Sequence, residues 1–120
     1  MGYKDNTIEY GFGQMGSVFN NTASAITPPT GKVFVAITFL TNTTLNTTDG
    51  LIADNSDEIE YVGTNTAAHD VSVGSETSIT GGGGKAIVTA TIFPKGLTIY
   101  GRWTKITTVS SGQYIAYIGY

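Results

Sequence analysis

Apolar and polar residues alternate with period two along much of this chain. In residues 97–107, Leu97, Ile99 and Trp103 fall on one face while Thr98, Tyr100, Arg102 and Thr104 fall on the other, as in a strand with one covered side. Runs of this kind bounded by Gly, Pro, Asn and Asp predict strands at 7–12, 32–40, 50–54, 58–62, 69–73, 76–80, 85–93, 97–107 and 113–119. Little or no helix is expected. The predicted fold is all-β, an antiparallel β-sandwich or small β-barrel with an extended N-terminal arm. Its expected core is Val35, Ile37, Phe39, Val88, Ile92, Ile99 and Trp103.

Two of the predicted strands are apolar on both sides. In 32–40, Val33, Val35, Ile37 and Phe39 line one face, and Phe34, Ala36 and Leu40 the other. In 113–120, Ile115 and Tyr117 oppose Tyr114, Ala116, Ile118 and Tyr120. An antiparallel strand whose second face meets water alternates cleanly, so these two need a second cover. Either they lie in the middle of a sheet buried by the chain itself, or their outer sides meet another subunit. The second case predicts a homo-oligomer, a trimer by expectation, with Phe34, Leu40, Tyr114, Tyr117 and Tyr120 at its interface.

The first thirty residues differ from the rest. They are rich in Gly and Asn with weak periodicity, and they end in Thr27-Pro28-Pro29-Thr30-Gly31, where the prolines fix φ and Gly31 permits a turn. This predicts an arm and Pro-Pro joint at 1–31 and a β-body at 32–120. The Thr-rich stretch 42–49 reads as a polar turn or exposed edge, and Gly81–Gly84 as a mobile hairpin tip.

Composition sharpens the fold class and removes several functions. Ile, Val and Thr number 12, 8 and 20, more than twice the 18 of Leu, Glu, Lys, Gln, Arg and Met together, and β-branched side chains suit a pleated sheet better than a helix. The net charge of −3 and a pI near 4.8 leave no basic surface for a phosphate backbone, so no nucleic-acid partner is expected. With no Cys, disulfides and thiolate metal sites are excluded. No apolar run approaches the roughly 20 residues of a membrane helix, and the first residues predict neither a secretory leader nor an acylation site.

Four motifs invite chemistry, and each fails on its context. Gly11-Phe12-Gly13-Gln14-Met15-Gly16 spells the dinucleotide fingerprint, but no amphipathic helix or βαβ unit follows and no acid lies between Glu9 and Asp49. Gly84-Lys85 lacks the upstream Gly and the hydroxyl residue of a phosphate loop. Asp54, Asp57, Glu58 and Glu60 could offer oxygens to a cation, yet without EF-hand glycine or helices they read as a solvated turn. His69, the single histidine, has no nucleophile elbow to serve. The expectation is a non-enzyme with no cofactor and no metal.

Phe93-Pro94-Lys95-Gly96-Leu97-Thr98-Ile99-Tyr100-Gly101-Arg102-Trp103-Thr104 and the ending Tyr114-Ile115-Ala116-Tyr117-Ile118-Gly119 resemble the C-terminus of small structural proteins of tailed bacteriophages. Glu9-Tyr10-Gly11-Phe12-Gly13-Gln14-Met15-Gly16 and the stretch 26–39 are similar to the same kind of protein. The resemblance implies a capsid decoration, or cement, protein on the outer surface of the virion head, with the major capsid protein as partner. Residues 1 to about 25 would then be its docking arm, with Tyr3, Ile8, Tyr10, Phe12, Met15, Val18 and Phe19 as apolar contacts. The alternatives are a tail-fibre or appendage module for host carbohydrate, and a free carbohydrate-binding domain.

Overall fold

The computed structural model describes residues 15–55, 59–70, 81–110 and 112–120. Among these residues the chain is all-β, with strands β1 (Ser17–Asn20), β2 (Val33–Phe39), β3 (Thr43–Thr44), β4 (Leu51–Ala53), β5 (Ile92–Phe93), β6 (Thr98–Ile106) and β7 (Tyr114–Gly119). Five of them form one antiparallel sheet in the order β1-β7-β2-β6-β4, and β3 pairs with β5 in a second, small sheet. No two neighbours in the large sheet are consecutive in sequence.

The three longest strands are the ones with the densest β-branched and aromatic runs. β2 is entered through a turn in which the Lys32 amide donates to the Pro29 carbonyl at 3.0 Å, with Gly31 at φ 81°. It lies at the centre of the sheet, paired with β7 on one edge and β6 on the other. The expected division of its faces is overturned. Relative to β7, Val35 is an extra residue between Phe34 and Ala36, a β-bulge. The bulge turns Phe34 to the same side as Ile37 and Phe39, and all three are buried. Phe34, expected at a subunit interface, is thus part of this chain's own core.

That core is built from Phe34, Ile37, Phe39, Leu45, Leu51, Trp103, Ile106, Tyr114 and Ala116, with Val18, Ile26, Tyr61, Ile87, Ile99 and Ile118 packed around them. Phe93 of β5 stacks on Phe39 with ring centroids 4.9 Å apart, so the small sheet covers one end of the large one. Tyr114, also expected at an interface, is fully buried; its hydroxyl accepts from Asn20 Nδ2 at 2.9 Å. Burial pushes the Tyr114 phenol above its ordinary pKa of 10.0, and the Asn20 hydrogen bond offsets part of that rise.

Three expectations about the elements change. Ser17–Asn20, placed in the arm by sequence, is an edge strand paired with β7, and Ile26 exchanges two backbone hydrogen bonds with Ile106, both 3.0 Å. The body therefore includes residues well before 32, among them Ser17–Asn20 and Ile26. Of the strand expected at 85–93 only Ile92–Phe93 pairs, and Val88 and Ile92 are exposed at 54% and 62%. Within 42–49, Thr43 and Leu45 are buried, so the first half is packed chain, while 46–49 is the expected polar turn, with Asn46 Oδ1 accepting from the Thr48 and Asp49 amides at 2.8 and 3.3 Å. The strands expected at 7–12 and 76–80 lie outside the described residues, as does most of that at 69–73.

Candidate binding surfaces

Directly paired residues of neighbouring strands point to the same side of a sheet, so the register defines its outer face. One row across four strands reads Ser17, Tyr117, Ala36 and Tyr100; the next reads Phe19, Ile115, Thr38 and Thr98. Phe19 and Tyr100 are exposed at 54% and 60%, while Ile115 and Tyr117 are half-buried. Ala36 is sheltered between the two tyrosines, and the Thr38 and Thr98 hydroxyls bond to each other at 2.8 Å. The result is a nearly uncharged surface of rings and methyl groups. Beside it, the Lys32 ammonium lies 5.1 Å from the centre of the Tyr120 ring.

The expected contact residues divide accordingly. Of the interface set, Leu40 and Tyr120 are exposed and Tyr117 is half-buried on the outer face, whereas Phe34 and Tyr114 are interior. Of the arm set, Phe19 is on the outer face and Val18 packs inward against the core. Met15 is half-buried, and Tyr3, Ile8, Tyr10 and Phe12 lie outside the described residues.

At the other edge of the sheet, beyond β4, the backbone is covered by a loop. The Leu51 amide donates to Thr64 Oγ1 at 2.9 Å, the Leu51 carbonyl accepts from the Thr64 amide at 2.8 Å, and the Ala53 amide donates to Asn65 Oδ1 at 3.0 Å. This polar stapling closes an edge that would otherwise pair with another chain. Between the loop and β6 lies an open cleft of about 350 Å³ lined by Asp54, Asn55, Ile59, Tyr61 and Arg102. Arg102 donates through Nη2 to Asp54 Oδ2 at 3.1 Å and through Nη1 to the Tyr120 carbonyl. Asn55 is fixed by both polar ends, accepting from the Tyr61 amide at 2.7 Å and donating to its carbonyl at 3.4 Å.

The two described carboxylates of the acidic turn face different partners. Asp54 faces Arg102, and Glu60 Oε1 accepts from the His69 amide at 2.9 Å; Asp57 and Glu58 lie outside the described residues. No group of three metal-ligating side chains occurs among the described residues. His69 sits at φ 61°, its Nε2 3.1 Å from the Glu60 carbonyl oxygen, and the adjacent Asp70 is buried against Lys85 Nζ at 2.8 Å. Gly84 packs so closely on Asp70 that a Cβ there would come within 2.5 Å of the Asp70 backbone nitrogen. These residues lock the loop to the 81–88 segment. The sequence carried a signal for the cleft in its single Arg and in Asp54-Asn55, but only the fold brings Arg102 beside them.

Comparison with known proteins finds no matching family model, no matching curated protein and no matching solved structure.

Proposed function

We propose that this protein is a capsid decoration protein, which docks on the outer surface of a phage head through the outer face of its large sheet and the N-terminal segment that joins β1. The observation that carries the reading is the position of Phe19, Ile115 and Tyr117. They form an apolar stripe at the β1 edge of the sheet. The sequence before β1 holds Tyr3, Ile8, Tyr10 and Phe12, which this reading takes as further apolar contacts. Each large apolar side chain fully buried on docking contributes about 1.5–3 kcal/mol, and a ligand specific to the assembled shell stabilises it by mass action at every site.

The test is attachment to isolated heads, imaged and quantified by co-sedimentation with the protein present and absent. Phe19→Ser and Tyr117→Ser should each weaken attachment by about tenfold or more while leaving the melting temperature nearly unchanged, because neither side chain fills the core. Attachment as tight as that of the unaltered chain would overturn the docking face. Failure of the unaltered chain to bind heads would overturn the function.

A further inference from the structure

The cleft at the β4 edge lies at the opposite side of the sheet from β1, and the docking reading makes no use of it. Its volume of about 350 Å³ is at the small end of ligand sites, which span roughly 300–1,000 Å³. A single ring-sized ligand is the scale it suits.

Among the described residues the charge at its wall is balanced. Arg102 and Asp54 form a partly exposed ion pair at 3.1 Å, so an anion entering the cleft meets the carboxylate and a cation meets the guanidinium. Hydrogen-bonding capacity remains after that pairing. Of the five guanidinium donors, the Tyr120 carbonyl and Asp54 engage two groups, and Asp54 Oδ1 has no partner among the described residues. Asn55 Nδ2 donates once, to the Tyr61 carbonyl, leaving its second N–H. The Tyr61 hydroxyl has no partner among the described residues. Ile59, 58% exposed, adds an apolar wall.

We infer that this cleft binds one neutral saccharide residue, a hexose or N-acetylhexosamine. Sugar hydroxyls both donate and accept, which matches the carboxylate, guanidinium, amide and phenol carried by the residues that line the cleft. The C–H face of the ring suits Ile59 and the Tyr61 ring. Two hydrogen bonds already hold Asn55 to the Tyr61 backbone, so little ordering remains to be done on binding.

The experiment is ligand-observed saturation-transfer NMR on the full chain with glucose, galactose, mannose and N-acetylglucosamine at millimolar concentration. Inorganic phosphate and calcium chloride are titrated in parallel and followed by amide shifts. At least one sugar should show transfer, and Tyr61→Phe and Asp54→Asn should each weaken it about tenfold while the melting temperature stays within a few degrees. Phe19→Ser should retain sugar binding, which separates this site from the docking face. Transfer to none of the four sugars, equal binding by both variants, or a response at the cleft to phosphate or calcium alone would each overturn the proposal.

Discussion

Trp103 shows how one side chain ties separate parts of the chain together. It is fully buried on β6, opposite Phe34 of β2 and Ala53 of β4, and its Nε1 donates to the Val62 carbonyl at 2.8 Å. Gly101 makes room for it, since a Cβ there would come within 2.6 Å of the ring. Trp103→Ala should therefore cost about 3–5 kcal/mol, read as a lower midpoint in denaturant, with the loop around Val62 losing its anchor as well. Tyr114 makes a different prediction. Its phenol is held neutral by burial, with a pKa raised above 10.0, so the unfolded chain releases this proton more readily than the folded one. Its contribution to stability is intact below about pH 10 and is lost as pH rises from there through the folded-state pKa. Tyr114→Phe should flatten the alkaline fall in stability. At neutral pH it should cost about 1 kcal/mol, because Asn20 Nδ2 loses an acceptor. A variant with the same alkaline slope as the unaltered chain would contradict the burial.

Among the elements, β1 alters the expected division of the molecule most. A chain starting at residue 15 keeps every described strand, whereas one starting at residue 25 loses the β1–β7 ladder, the inward contact of Val18 and the Asn20–Tyr114 bond. The first truncation should unfold at nearly the temperature of the full chain, and the second should be less stable by about 2–4 kcal/mol in thermal or denaturant unfolding. Strands β2, β6 and β7 were legible to within two residues because their apolar runs are long and dense. β1 was not, because Ser17-Val18-Phe19-Asn20 has two apolar residues, and its pairing depends on the edge of a strand nearly a hundred residues away. The 85–93 run erred the other way. It has the β-branched residues of a strand, but before Ile92 its pairing consists of an Ile87 amide to Gly63 carbonyl bond and a turn from Thr91 to Val88. β-propensity without a partner edge does not make a strand. The faces of β2 were misread for a third reason, since a single bulge at Val35 inverts a period-two pattern and leaves no mark in the sequence. The outer face inherited that error through Phe34, while Tyr117 survived it because β7 keeps a regular alternation.

At the scale of the whole molecule, the burial of Phe34 and Tyr114 leaves only Leu40, Tyr117 and Tyr120 of the expected interface set at the surface. Because Phe34, Ile37 and Phe39 are buried within the single chain, the core is expected to form without self-association. Thermal unfolding of dilute samples shown by analytical ultracentrifugation to be monomeric should therefore still be a cooperative transition, with Tm rising at higher concentration only by the small amount that mass action on a trimer adds. A melting temperature that climbs steeply with concentration would instead make the folded state inseparable from the oligomer. The interleaved strand order has a consequence of its own. Every ladder in both sheets joins a strand that ends by residue 53 to one that begins at residue 92 or later. On the ribosome, the leading portion emerges with all its pairing edges unsatisfied and waits for the trailing portion before any sheet can close, so folding is a late, post-synthetic event and slow for a chain of this size. A backbone cut between β4 and β5 would sever no ladder among the described residues, and the two pieces would then behave as obligate complements, each structured only while the other is present.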